Sequence, residues 1–210
     1  MTEILRVSPD QPDAAFARRV AGVLKGGGIV AMRTDTVFGL LASVNRPDAL
    51  EKLVALKVRP VGKPFVLLAS DWVSVRAVTS HLTPVARALG ARYWPGPLTL
   101  VLPADENLPD EVTAAGKTVA VRIPADPWLR AILGEMRSAI AAPSANLPGQ
   151  PPARDVEEVV RIFGAGIDLA LDRGPAGSEE ASTLVNCCGG DGEILRVGAI
   201  VPSAEELAAR

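Results

Sequence analysis

Apolar residues recur at helical spacing over residues 13–25, where Ala14, Ala17, Val20, Ala21 and Leu24 share one face, and Gly26-Gly27-Gly28 stops the pattern. The spacing predicts an amphipathic helix with a glycine end. A short apolar run at 29–32 predicts a strand, followed by a loop at 33–40 and a helix over 47–57 that opens on Pro47. On this reading the loop joins a strand to a helix. Apolar runs at 65–69, 98–102 and 118–123 predict three more strands, with a helix over 84–93 between the first two. The alternation continues with a helix over 127–135, a strand over 138–142, a helix over 153–163 and strands near 167–171, 182–186 and 193–196. A short helix over 203–209, capped by Ser203, ends the chain. Helices and strands interleave without a break in composition or an internal repeat. That predicts a single α/β domain over 1–210, a twisted mixed β-sheet flanked by helices.

Composition narrows the classes of function. At 210 residues and 48% hydrophobic content the chain can bury a full core. With 22 basic and 24 acidic side chains the net charge is -2, so no global positive field draws in nucleic acid, and any tRNA or double-stranded RNA contact is local and weak. No apolar run approaches a membrane span, and the start lacks a charged region followed by an apolar one, which predicts a cytoplasmic protein with no membrane partner. Cys187 and Cys188 are adjacent, which offers neither metal-ligand spacing nor a long-loop disulfide, so they read as buried or idle thiols. The one histidine, His81, has no cysteine or second histidine with which to share a metal. Zinc chemistry and a serine-histidine triad are disfavoured, and no metal-binding residue is predicted.

Two stretches carry candidate chemistry. In Ala142-Pro143-Ser144-Ala145-Asn146-Leu147-Pro148-Gly149-Gln150-Pro151, two short polar side chains follow a predicted strand. Strand ends in α/β proteins are where ligands collect, and the prolines and glycine hold that backbone in one shape. In Lys57-Val58-Arg59-Pro60-Val61-Gly62-Lys63-Pro64, three cations fall within seven positions between a helix and a strand. Cations at a helix C-terminus commonly just complement its dipole. Here the prolines stiffen the linker, so Arg59 and Lys63 project from a defined loop and suit a polyphosphate. There is no Gly-x-x-x-x-Gly-Lys-Ser/Thr loop, and Gly26-Gly27-Gly28 precedes a strand and so is not a dinucleotide fingerprint.

Seven blocks resemble, in order and spacing, the YrdC/Sua5 family of threonylcarbamoyl-AMP synthases: Thr34-Asp35-Thr36-Val37-Phe38-Gly39-Leu40, Lys57-x-Arg59-Pro60 with Lys63-Pro64, Pro95-Gly96-Pro97-Leu98-Thr99, Val121-Arg122-Ile123-Pro124, Pro143-Ser144-Ala145-Asn146, Ser182-Thr183 and Leu195-Arg196-x-Gly198. The resemblance implies a YrdC-like domain with a concave ligand-binding face. It implies an enzyme, a nucleotidyltransferase that combines L-threonine, bicarbonate and ATP, with Mg²⁺ on the phosphates, into threonylcarbamoyl-AMP and pyrophosphate. A separate transferase complex then modifies tRNA beside the anticodon. By the same resemblance Arg59 and Lys63 contact the triphosphate, with Lys57 beside them as the third catalytic cation. Thr118, Ser144, Asn146 and Arg196 complete the ATP site, and Thr36, Arg122 and Ser182 hold L-threonine.

These residue types suit the chemistry, because every reactant is an anion or becomes one and must be held by cations and donors at fixed positions. Arg122 is the residue for a carboxylate, since a planar fork pairs with it in two parallel bonds. Singly, each residue has a plainer reading: Arg122 pairing with a surface acid, Thr36 capping a helix, Ser182 a strand-edge hydroxyl. The sequence departs from the family pattern at Leu68, where several members have histidine, and at Ala142, where some have threonine. Both imply a more apolar amino-acid pocket. Arg33 replaces a usual proline and Asp126 a frequent histidine. The chain resembles the short, YrdC-type form without the longer branch's C-terminal domain. The competing reading is an RNA- or nucleotide-binding protein of the same fold that lacks synthase activity.

Overall fold

In the computed structural model, which describes residues 2–9, 11–58, 64–175 and 180–208, local sequence signals set most of the element ends. Helix α1 (Ala14–Lys25) begins where the Asp13 carboxylate accepts from the amides of Ala15 and Phe16, satisfying two donors that no helical carbonyl reaches. Helix α2 (Pro47–Leu56) opens on a proline whose missing N–H would have been unpaired there anyway. Ser203 and Glu206 cap α8 (Ala204–Leu207) reciprocally, as expected for Ser203.

The other helices are α3 (Trp72–Arg76), α4 (Pro84–Tyr93), α5 (Asp110–Thr113), α6 (Pro127–Met136) and α7 (Val156–Phe163). The strands are β1 (Glu3–Arg6), β2 (Val30–Arg33), β3 (Phe38–Ser43), β4 (Val66–Leu68), β5 (Leu98–Pro103), β6 (Thr118–Arg122), β7 (Ile140–Ala141), β8 (Leu169–Asp172), β9 (Thr183–Asn186) and β10 (Glu193–Arg196). They form one mixed sheet in the order β1-β8-β2-β3-β7-β4-β6-β5-β9-β10.

The expected loop between strand and helix is corrected here. Residues 34–37 form a hairpin turn, and β3 pairs antiparallel with β2 on one side and β7 on the other. Every residue of β3 is buried, so it shows no alternation to mark it as a strand. Strand β7 is confined to Ile140–Ala141, and α7 starts at Val156 because Asp155, not an earlier residue, accepts from the Glu158 amide at 2.7 Å. Strand β1 and helices α3 and α5 are additions to the predicted set.

The two faces of the sheet are covered unequally. One face packs a core that runs the length of the sheet, from Ala31 and Ala170 to Leu100 and Val185, under α2, α4 and α7. The other face carries a second core, under α1 and α6, built from Leu5, Val30, Met32, Leu41, Leu68, Ile140, Leu169 and Leu171. No residue of β6, β5, β9 or β10 belongs to it. Consequently Thr118, Ala120 and Arg122 of β6 and Thr99 and Val101 of β5 project from a half-sheet that no described helix covers. No helix among the described residues is long and apolar enough to cross a membrane.

Candidate functional site

Arg122 ends β6 on this open face, yet it is only 4% exposed. The hairpin turn 34–37 folds over it. One guanidinium nitrogen donates to the Thr36 hydroxyl at 3.2 Å, and the other stands 3.3 Å from the Asp35 carboxylate. The turn is fixed from within, because the Thr34 hydroxyl donates to the Val37 carbonyl at 2.7 Å, accepts from the Thr36 amide at 3.0 Å and meets the Thr36 hydroxyl at 3.0 Å. Asp35 also accepts from the Ala125 amide at 3.0 Å, which ties the turn to the chain just past β6. Thr36 is therefore no helix cap, and Arg122 pairs with a half-buried acid of the site instead of a surface one.

Ser182, which leads into β9, lies on the same face. Its hydroxyl meets the Thr99 hydroxyl at 2.7 Å. Arg196, exposed on the edge strand β10, donates through two nitrogens to the Ser182 carbonyl at 2.8 and 3.2 Å. The approach of the two segments needs a glycine, since a Cβ on Gly198 would lie 2.2 Å from the Ala181 carbonyl oxygen. Burial pulls the Arg122 guanidinium below its ordinary range, the carboxylates of Asp35 and Asp126 push it back up, and Arg196 works against them. Burial lowers Arg196 as well. Two guanidinium groups that feel one another, with one carboxylate between turn and sheet, make a site that favours an anion. The Arg122 Nε is buried and has no hydrogen-bond partner among the described residues, which leaves a donor for one.

A second cluster lies at the C-terminus of α2. Lys57 is 7% exposed, and its ammonium donates to the Ser144 carbonyl at 2.6 Å, to the Asn146 side-chain oxygen at 2.9 Å and to the Asn146 carbonyl. The Ser144 hydroxyl donates to the same Asn146 oxygen at 2.6 Å, and the Asn146 amide group donates to the Gln150 carbonyl at 2.6 Å. Lys57 thus ties the 144–150 loop to α2. The two clusters share a wall, because β3 pairs with that loop: the Leu40 amide donates to the Pro143 carbonyl at 2.9 Å and the Ala145 amide to the Phe38 carbonyl at 2.7 Å.

The structure joins Thr36 with Arg122, Ser182 with Arg196, and Lys57 with Ser144 and Asn146. Thr118 stands at the far end of β6, about 13 Å from Arg122 at roughly 3.3 Å per residue, and its side chain joins neither cluster. Arg59 and Lys63 lie outside the described residues. Leu68 is paired in register with Arg122 and is 1% exposed, its side chain part of the core under α1 and α6. Sequence reasoning passed over Asp35 and Thr99 as site residues, although each lies inside a quoted block. It also missed the buried pair Asp126–Arg173, whose members are far apart in sequence and leave no local signal. Among the described residues no group of three or more His, Cys, Asp or Glu side chains is placed to hold a metal ion.

The Sua5/YciO/YrdC family, described as telomere recombination, matches residues 22–198. The threonylcarbamoyl-AMP synthase of Bacillus subtilis (strain 168) is 36% identical over 195 residues, which are 92% of this chain. The chain spans only 56% of that relative's length. The threonylcarbamoyl-AMP synthase of Coxiella burnetii (strain RSA 331) is 35% identical over 174 residues, covering 83% of this chain and 92% of the relative. Among solved structures, P. abyssi Sua5 complexed with L-threonine superposes with a TM-score of 0.88 at 31% identity, over 94% of this chain and 58% of that one.

Proposed function

The chain belongs to the Sua5/YciO/YrdC family, and on that premise we propose that it is a threonylcarbamoyl-AMP synthase, a nucleotidyltransferase that joins L-threonine, bicarbonate and ATP. The observation that carries this reading is Arg122, a buried guanidinium on the uncovered face with an unpartnered Nε and hydroxyls beside it. A carboxylate of an amino acid fits that fork, with Thr36 and Ser182 in reach of its other polar groups. Arg59, Lys63, Thr118, Ser144, Asn146 and Arg196 hold ATP in this reading, and Lys57 contributes by fixing the Ser144–Asn146 loop.

The threonine amine bonds to the carbon of bicarbonate with loss of water, giving an N-carbamate. A carbamate oxygen then attacks the α-phosphorus of ATP, the bond from that phosphorus to the bridging oxygen breaks, and pyrophosphate leaves with the electron pair. No covalent nucleophile from the protein is needed. Catalysis is positioning together with stabilisation of charge by fixed cations. Mg²⁺ would enter with the triphosphate and would supply neutralisation of phosphate charge. The adenylate passes to a threonylcarbamoyl transferase complex that acts on tRNA in the cytoplasm. In this scheme the chain works as one domain over 1–210, with at most a local contact to RNA.

Pyrophosphate release from ATP, followed with and without L-threonine and bicarbonate, tests the proposal. Release should require both. Equal release without threonine would refute a synthase, and no release under any condition alongside intact nucleotide binding would favour a nucleotide-binding protein.

A further inference from the structure

Behind the Arg122 corner lies a second buried ion pair that the site just described does not use. Arg173, the first residue past β8, points both terminal nitrogens at Asp126, at 2.8 and 2.5 Å. The two side chains are 1% and 6% exposed. The guanidinium also sits over the ring of Trp128, 6.0 Å from its centre. Asp126 in turn caps α6, accepting from the Leu129 amide at 2.9 Å. As a fastening this pair is an uneconomical choice. Desolvating two charges offsets most of their attraction, and an uncharged asparagine or serine caps a helix as well as aspartate does.

The position of the carboxylate gives the pair a purpose. Asp126 follows Arg122 by four residues, and the chain between them bends around Asp35, which meets Arg122 at 3.3 Å and the Ala125 amide at 3.0 Å. Arg122 already feels the charge of Asp126 through space. Three donors, two from Arg173 and one from Leu129, occupy the Asp126 oxygens as the molecule stands. Without Arg173 the Asp126 carboxylate keeps only the Leu129 amide, while Arg122, four residues earlier, has a buried Nε with no hydrogen-bond partner among the described residues. We propose that Arg173 is a positioning residue that holds Asp126 away from Arg122, so that the Arg122 fork stays open to the carboxylate of the amino-acid substrate. The identity of that substrate rests on the function proposed above; the masking of Asp126 does not.

The test uses R173Q, D126N and the double variant R173Q/D126N of the full chain, with two readouts. Calorimetry gives the Kd for L-threonine and, separately, for ATP. The Arg122 Nε–Hε resonance, assigned by its loss in R122K, reports the pairing of that side chain with no ligand present. R173Q should weaken threonine at least tenfold, leave ATP within threefold and move the Arg122 resonance. Adding D126N should return both the resonance and the threonine Kd to within threefold of wild type, because the competing carboxylate is gone.

A double variant as weak as R173Q would mean that the charged pair merely braces the loops, and the proposal would fall. An unmoved resonance in R173Q would also overturn it, whatever threonine does. Should R173Q not fold, D126N alone decides: threonine should bind at least as tightly as to wild type, and a tenfold loss overturns the proposal. If the resonance behaves as expected while wild type binds no threonine, the masking stands and the synthase reading is what fails.

Discussion

Replacing Arg122 by lysine separates a carboxylate site from a general anion site. Arg122 spends one nitrogen on Thr36 at 3.2 Å and faces Asp35 with another at 3.3 Å, which leaves Nε and the remaining hydrogens for a ligand. Lysine keeps a positive charge beside Asp35, so the corner is not left with an unpaired buried acid. It cannot form two parallel bonds to one carboxylate. A hydrogen bond to a charged group is worth about 1.5–3 kcal/mol. At about 1.4 kcal/mol per factor of ten, losing one of two such bonds weakens threonine by about tenfold to about 150-fold. ATP should bind within about threefold of wild type, because the phosphate cations are other residues. Titrating each ligand separately by calorimetry into wild type and R122K measures both numbers. A variant that loses ATP as severely as threonine would place Arg122 in the phosphate site and end its assignment to the amino acid.

Lys57→Met should destabilise the fold by about 2–3 kcal/mol in urea unfolding, since three charge-assisted bonds between α2 and the loop are lost together; an unchanged midpoint would refute Lys57 as the tie that holds 144–150. Amide exchange at Ala145 and Asn146 should quicken in the same variant. Gly198→Ala should cut pyrophosphate release at least tenfold, because its Cβ would lie 2.2 Å from the Ala181 carbonyl oxygen and 2.6 Å from the Ser182 carbonyl carbon, and backbone there cannot yield without moving Ser182. Full activity would show that the Ser182–Arg196 geometry is not needed. Burial pushes the Cys187 thiol up to about 12, with the neighbouring Cys188 adding to it, so a thiol reagent at pH 8 should label Cys188 first and Cys187 only after unfolding. Two equally fast thiols in the native protein would contradict that burial.

The sequence was a good guide wherever one physical rule governed an element. Helix α1 shows its buried face at helical spacing and its start at Asp13, and α2, α4 and α6 each open on a proline, so local chemistry marks them. Strand β3 was illegible for the opposite reason. Buried along its whole length between two antiparallel neighbours, it offers no polar alternation, and its first residues double as the end of the hairpin that covers Arg122. The site divides along the same line. Thr36, Arg122, Ser144, Asn146, Ser182 and Arg196 fall within motifs, but which of them touch is decided by the sheet order. Sheet pairing brings Ser182 beside Thr99, because β9 runs parallel to β5, and a β6 residue meets a turn 86 positions earlier.

A motif search also cannot see a surface that is left bare. The second core stops at β4, and that termination leaves β6 and β5 without apolar helix packing on this face, so polar residues at alternate positions of those strands meet a turn and a strand end instead. Thr99 and Arg122 are buried even so, and each is met by a polar group, the Ser182 hydroxyl and the Thr36 hydroxyl, in place of a helix. On the uncovered half-sheet they are the lining of a site. The fold's contribution to function therefore rests on where α1 and α6 end as much as on any residue they contain. Extending either helix over β6 would preserve every motif in the chain and still close the face that Arg122 needs.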